Sequence, residues 1–192
     1  MKRVSVNFKR VVKNSKNFKK TSDTSVMKKY EDTKDMFFDE FESHPVTQEI
    51  SSGAKANNIS NTLDGIGNLF SFIGFSSSSE PIKDLANILK RSFSIRSKRK
   101  EDIIRYTISF PTLEKIKSET PMPFEGGNSW VVGIERGISG FSNYLYKKFV
   151  EGRSQEALQS DSRVRGGSYK KTKYLSEMIN NFIKTITKWK LN

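Results

Sequence analysis

Cysteine is absent from this chain of 192 residues, and histidine occurs once, at position 44. The missing thiols exclude disulfides, thiol chemistry, and zinc or iron–sulfur sites held by cysteine. Any metal site would therefore depend on carboxylates. Apolar residues make up only 34% of the chain, and no run of them approaches the ~20 residues of a membrane-spanning helix. Because this share is low for a globular domain, we expect part of the chain to be extended or to dock on neighbours.

Acidic residues are missing from the first twenty positions, which carry eight lysines and arginines but no apolar stretch typical of a secretion signal. Val4, Val6 and Phe8 alternate with polar residues, which is typical of a short strand. We interpret residues 1–22 as a basic extended arm outside a single domain over 23–192. Val4, Val6 and Phe8 are our candidates for docking the arm on the sheet of a partner. A frayed, solvated terminus is the alternative.

The charge of the whole chain is strongly positive, with a formal net charge of +13 and an isoelectric point near 9.8. This balance favours an anionic partner: nucleic acid, an acidic protein surface or anionic lipid. Residues 151–172 are interpreted as a long basic loop. Its end and the residues after it contain Gly166-Gly167, whose N–H groups are suited to phosphate, and our candidates for DNA or partner contact are Arg163, Arg165, Lys170, Lys171 and Lys173. A solvated loop, or one paired with an acidic subunit, is the alternative.

Apolar spacing and chain breakers predict the order of the secondary-structure elements. The N-terminal half is expected to contain a helix over 24–43, a short helix over 45–50, a loop over 51–68, a buried strand over 69–75 and a helix over 80–92. The C-terminal half is expected to contain strands 92–96 and 103–110, a helix over 111–118, an extended segment at 121–123, a helix over 128–136 and an amphipathic helix over 175–189.

Candidates for catalysis are weak throughout the sequence. His44 precedes a proline at a helix junction, where a cap or turn role is favoured over catalysis. The carboxylates between Asp32 and Glu42 alternate with lysines, as on a solvated helix face. Glu125 and Glu135 have no feature that fixes their distance. Because the sequence also lacks a GxGxxG or Walker motif, we expect no catalytic, cofactor-binding or metal-binding residues, and no enzyme activity.

Three segments carry a family resemblance: FFDEFESHPVTQEI (37–50), NLFSFIGF (68–75), and the pair formed by residues 120–149 and 163–182. They resemble virion proteins of tailed bacteriophages, in the group of minor tail, tail-completion and neck (head–tail joining) proteins. The resemblance covers about residues 37–184 and implies a small α+β fold. That fold has N-terminal helices, a short antiparallel sheet and a closing C-terminal amphipathic helix. Compact members of the group lack the basic N-terminal arm and a loop as long as 151–172.

The resemblance also implies a structural role in the virion. It leads us to expect a homo-oligomeric ring in the neck or tail end that bridges connector and tail and lets DNA pass, with six copies favoured over twelve. The expected partners are other neck, connector and tail proteins and the passing DNA, with no membrane. The expected location is the virion, and the host cytoplasm during assembly. A sequence-nonspecific nucleic-acid-binding protein is the alternative function.

Overall fold

The computed structural model describes residues 2–9, 16–63, 65, 67–100, 103–123, 125–137 and 171–189. By compactness the chain divides into two units. Unit 1 comprises Met1–His44, Lys83–Ile116 and Leu175–Asn192, and unit 2 comprises Pro45–Ile82 and Lys117–Tyr174. The single domain over 23–192 stays a prediction.

The predicted α+β class is confirmed. Seven described helices are α1 Lys16–Ser43, α2 Pro45–Ser51, α3 Leu69–Ile73, α4 Pro81–Ser92, α5 Leu113–Glu119, α6 Trp130–Arg136 and α7 Leu175–Thr187. A short 3-10 helix covers Gly53–Lys55. Five described strands are β1 Lys2–Lys9, β2 Ser94–Lys100, β3 Ile103–Phe110, β4 Pro121–Met122 and β5 Glu125–Ser129.

Unit 1 contains a three-stranded antiparallel sheet in the order β1-β3-β2. At the centre of the register, Tyr106 of β3 lies opposite Val6 of β1 on one side and Ser97 of β2 on the other. The two predicted strands are confirmed and pair as a hairpin, but β2 continues to Lys100 instead of ending at 96. The segment between the two strands is therefore shorter than predicted, because the lysines and arginines of 96–100 lie on paired strand backbone.

The N-terminal segment differs from the predicted arm over 1–22. Its alternating residues do form a strand, but β1 pairs with β3 of the same chain. Residues 16–22 belong to the first turns of α1, which begins eight residues before the predicted start. The prediction took the eight basic residues and the absence of acidic ones in the first twenty positions as a sign of an arm outside the core. Main-chain pairing with an existing strand, however, requires no apolar content of its own.

Aromatic rings form the core of unit 1, where α1 packs against α7. The ring centroids of Phe37 and Phe93 are 5.1 Å apart, and those of Phe93 and Phe182 are 4.9 Å apart, both in edge-to-face geometry. Phe110 of β3 joins the cluster at 6.0 Å from Phe182. Burying a large apolar side chain contributes about 1.5–3 kcal/mol. The α7 stripe predicted from sequence is therefore part of the core of this unit.

A second apolar group lies where the sheet meets α1. Val26, Ile104 and Tyr106 are buried there, with Ile95 and Trp189 packed against them. The Tyr106 hydroxyl donates a hydrogen bond of 2.5 Å to Asp23 of α1. Because alternate residues of β3 point to the same side, α1 and Trp189 cover one face of the sheet.

Residues 69–75 correct a sequence prediction. The segment LFSFIGF was expected to be a buried strand, but Leu69–Ile73 is a helix, α3. Asn68 caps its N-terminus by accepting a hydrogen bond of 2.9 Å from the Ser71 N–H. Gly74 ends it in the left-handed conformation, at φ 86°. A short apolar run fits either a buried strand or a buried helix, and here the two caps decide for the helix.

No helix in the described part of the chain is long and apolar enough to cross a membrane.

Candidate functional site

A buried carboxylate, Glu49 of α2, lies at the centre of the polar contacts in unit 2. Its side chain is completely inaccessible to solvent. One oxygen, Oε1, accepts a hydrogen bond of 2.7 Å from the Leu69 N–H and one of 2.8 Å from the Asn58 amide. The other oxygen, Oε2, accepts one of 2.9 Å from the Ser60 N–H. Because charge-assisted hydrogen bonds are stronger than neutral ones, three of them compensate for burying this group.

These bonds join α2 to the loop that follows it and to the start of α3. Asn58 extends the connection, because its Oδ1 accepts the N–H groups of Leu63 at 3.2 Å and Gly65 at 3.1 Å. Asn61, at φ 52°, and Gly65, at φ 81°, adopt left-handed conformations along the same loop. The Ser- and Asn-rich segment predicted as a loop is thus folded around one carboxylate, and that arrangement fixes where α3 begins.

Asn68 makes a second link within this loop. Its side-chain amide donates a hydrogen bond of 2.8 Å to the Ala54 carbonyl, while its Oδ1 caps α3. The side chain is buried, so both bonds are protected from water. One residue therefore ties the 3-10 helix to α3.

Tyr174 connects the end of unit 2 to α2. Its hydroxyl and that of Thr47 share a hydrogen bond of 2.6 Å, and both side chains are buried. Burial raises the pKa of the Tyr174 phenol above its ordinary value; the bond with Thr47 opposes the shift, and the Glu135 charge adds to it. The phenol is therefore neutral at physiological pH and serves as a hydrogen-bonding anchor.

The β4–β5 pair and the start of α6 form a further connected group in unit 2. The hydroxyls of Thr120 and Ser129 share a hydrogen bond of 2.7 Å, and Ser129 Oγ also accepts the Val132 N–H at 3.3 Å as the cap of α6. Trp130 donates its backbone N–H to the Thr120 carbonyl at 3.1 Å. Its ring packs edge-to-face on Phe75, with centroids 5.6 Å apart.

In unit 1, the uncovered face of the sheet is basic. Arg96 and Lys98 of β2 and Arg105 of β3 are exposed. The register places Lys98 directly opposite Arg105, and Arg96 directly opposite Thr107. This surface, defined by Arg96, Lys98 and Arg105, is called the basic sheet face.

The candidate contact residues predicted from sequence are only partly described. Lys171 and Lys173 are exposed in the segment before α7. Arg163, Arg165 and Lys170 lie outside the described residues, so the proposed cluster stays a prediction. The docking candidates Val4, Val6 and Phe8 occupy alternate positions of β1, opposite Ile108, Tyr106 and Ile104 of the same chain. Their docking on a partner also stays a prediction.

The weak catalytic candidates are dispersed. His44 is half-buried at the bend between α1 and α2, which fits the predicted junction role. Glu135 is partly buried on α6, where its charge acts on Tyr174. Among the residues that the structure describes, no group of three or more histidines, aspartates or glutamates is placed to hold a metal ion.

Sequence reasoning missed the burial of Glu49 in unit 2 and the basic sheet face of unit 1. Glu49 was noted only as part of a short helix, because an acidic residue on a polar helix looks solvent-exposed in sequence. One available signal is the apolar pair around it, Val46 and Ile50, since residues four apart share a helix face. The basic sheet face was missed because Lys98 fell in the segment predicted to connect the two strands, and because the sequence does not show which residues of neighbouring strands lie opposite one another.

In comparisons with protein-family models, curated proteins and solved structures, no significant match to this chain was found.

Proposed function

We propose that this protein is a structural component of a tailed-bacteriophage particle, in the neck or tail end, where it acts by contacts with copies of itself and with adjacent proteins. The proposal starts from the resemblance in sequence to minor tail, tail-completion and neck proteins. The α+β architecture with a C-terminal helix packed on α1 agrees with the fold which that resemblance implies.

The observation that carries the proposal is that polar residues of the resembling segments are hydrogen-bonded inside the chain. Residues 45–50, 68–75 and 120–137 of those segments all lie in unit 2. Their distinctive polar residues hydrogen-bond to one another or to the backbone, as Glu49 and Asn68 do. In the described part of the chain, no buried side-chain nitrogen or oxygen lacks a partner. Buried polar groups that are all hydrogen-bonded fix the shape of the subunit, and a structural component of a particle requires a fixed shape.

In the proposed particle, a closed ring of copies joins the connector to the tail, with six copies favoured over twelve. Head-to-tail contacts between identical subunits close into rings when the rotation between subunits allows it. The protein is then located in the virion, and in the host cytoplasm during assembly. Arg163 and Arg165, with the lysines at 170, 171 and 173, are the proposed contacts to DNA or to an acidic neighbour.

A complementation experiment in a phage that encodes the chain tests this proposal. Without the chain, filled heads and finished tails should accumulate unjoined, and the wild-type chain should restore joined particles. The variant Arg163→Glu/Arg165→Glu should fail to restore them although its thermal midpoint is unchanged. The matched control, Lys28→Glu/Lys55→Glu, alters two exposed lysines elsewhere and should restore them. Normal particle yield without the chain would show that the proposal is wrong.

A further inference from the structure

We propose that unit 1 carries both halves of a head-to-tail contact between copies of this chain, in which the outer face of α1 in one copy docks on the basic sheet face of the next. The outer face of α1 is defined by five exposed side chains: Asp32, Asp35, Met36, Asp39 and Glu42. The inference rests on the proposed ring, because it identifies the contact between neighbouring subunits of that ring.

The outer face of α1 is acidic along about three turns of the helix. Its four carboxylates follow one another at spacings of three or four residues, so they share one side of α1. The one lysine within residues 32–42, Lys34, is half-buried and pairs with Glu31. Among the described side chains, none of the four carboxylates pairs with a lysine or arginine. The face therefore presents uncompensated negative charge.

The basic sheet face lies on the other side of unit 1. Val26 of α1 and Tyr106 of β3 belong to one buried cluster, and Ile95 of β2 packs against it. The outer face is on the side of α1 away from Val26, because the side of α1 that bears Val26 is buried against the sheet. Successive residues of a strand point to opposite faces, so Arg96 and Lys98 are exposed on the uncovered face. The two oppositely charged surfaces are thus separated by the body of the unit.

This separation favours a contact between copies. Surfaces on opposite sides of one unit cannot meet within the same chain, and a contact that joins two different surfaces is head-to-tail. Repetition of a head-to-tail contact leaves one surface free at each end until the copies close into a ring. The arrangement therefore fits a ring subunit, and it disfavours a two-fold dimer, in which the same surface is used twice.

Charge complementarity identifies a second copy as the occupant of the outer face. The chain has a formal net charge of +13, so an acidic helix face is a local exception in it. Nucleic acid and anionic lipid are repelled by such a face. Every other copy, in contrast, presents the exposed cations Arg96 and Lys98 on one surface. Complementary charge accelerates encounter and fixes the orientation of the partners.

Met36 provides an apolar contact within the outer face. Its side chain is 62% exposed, and it lies one turn of helix from Asp32 and from Asp39. Methionine is enriched in protein interfaces, because its flexible thioether adapts to the shape of the partner. The aliphatic stems of Arg96 and Lys98 offer apolar surface to such a side chain while their charged ends reach carboxylates.

Analytical ultracentrifugation of the purified full chain at low salt tests this contact with charge-reversal variants. Asp35→Lys/Asp39→Lys makes the outer face of α1 basic, and Arg96→Glu/Lys98→Glu makes the basic sheet face acidic. All four positions are exposed, so both variants should keep the wild-type thermal midpoint. Each variant alone presents like charges at the contact and should associate at least about tenfold more weakly than the wild type.

Two further samples separate the contact from the effect of net charge. The chain with all four reversals keeps the wild-type net charge and should associate as the wild type does, because opposite charges meet again. An equimolar mixture of the two double variants should associate as well. The control Lys55→Glu/Lys117→Glu reverses two exposed lysines of unit 2 and should leave association unchanged. Complexes should grow beyond the dimer as the protein concentration rises.

Four results would overturn the inference: a wild-type chain that stays monomeric, complexes that stop at the dimer, a four-reversal chain as weak as the double variants, or an equal loss in the control. Because purified protein is used, these failures are distinguishable from failure of the proposed function. That function is tested by the joining of heads to tails in the complementation experiment, which does not depend on self-association in solution.

Discussion

At the scale of single residues, the polar groups described above are buried and hydrogen-bonded within the chain. Glu49 is the clearest case, since a fully buried carboxylate normally carries a large desolvation cost. Three donors compensate for it, and two of them are backbone N–H groups whose positions define the loop and the start of α3. The carboxylate therefore acts as an organising centre for unit 2.

We expect Glu49→Gln to destabilise the protein although the two side chains have nearly the same shape. The new NH₂ group would replace an acceptor with a donor, opposite either the Ser60 N–H or the Leu69 N–H. An unsatisfied buried donor costs about 1–3 kcal/mol, more where a charged group was involved. Urea unfolding measures the loss. Glu42→Gln, at an exposed position, is the control and should change stability by less than about 0.5 kcal/mol. Equal midpoints for the two variants would contradict the role assigned to Glu49.

The buried phenol of Tyr174 predicts a dependence of stability on alkaline pH. Its pKa in the folded chain is raised by burial above the ordinary value of 10.0, so the unfolded chain loses this proton first. The free energy of unfolding is therefore unaffected below the unfolded pKa and falls as the pH rises through it. Tyr30, whose pKa burial raises to about 12, with Glu31 adding to the shift, contributes in the same direction.

Tyr174→Phe should make the alkaline decline in stability shallower, measured by urea unfolding between pH 8 and about 11. At neutral pH the same variant should lose about 1 kcal/mol, because Thr47 loses its partner. Adding Thr47→Val should recover part of that loss, since both polar atoms are then gone. An alkaline decline as steep as that of the wild type would contradict the assignment to Tyr174.

At the scale of elements, the fold agrees with the sequence wherever the apolar period is long. The stripe from Leu175 to Ile186 predicted α7, and Pro81 with the following apolar residues predicted α4. Short elements were harder to predict from the sequence. The five residues of α3 are too few to show a period, and β5 contains Gly126-Gly127, which looks like a turn in isolation. In both cases neighbouring residues decide the structure through caps and pairing, and single-sequence patterns do not encode those contacts.

The candidate site was predicted less well than the fold. Burial of Glu49 depends on donors that lie nine, eleven and twenty residues further along the chain. The basic sheet face depends on the register between β2 and β3, which sets Lys98 beside Arg105. Neither relation follows a fixed spacing, so neither could be read from composition or local pattern.

The pairing of β1 with β3 can be tested by deleting the strand. Because it pairs with β3 from Lys2 to Lys9, deleting residues 1–9 would leave the edge of β3 without its partner. We expect a loss of more than about 2 kcal/mol in unfolding free energy, since each net hydrogen bond contributes about 1 kcal/mol. The control is Lys2→Thr/Lys9→Thr, which removes charge but keeps a strand-forming backbone. An unchanged thermal midpoint after the deletion would support the extended arm expected from sequence and contradict the paired strand.

At the scale of the whole molecule, the two compact units differ in what organises them. Unit 2 is organised by internal hydrogen bonds around Glu49, Asn68 and Tyr174. Unit 1 carries a sheet whose uncovered face is basic. In the proposed ring around a DNA passage, each subunit needs a fixed shape, and only moderate salt-dependent contact would let DNA move through.

Cryo-electron microscopy of intact particles from a phage that encodes the chain tests the central claim most directly. The account predicts density for this α+β chain as a closed ring between head and tail, in six or twelve copies. Its α1–α7 pair and three-stranded sheet should be identifiable within each copy. Particles that contain no copy of the chain, or single copies attached without symmetry, would contradict the account.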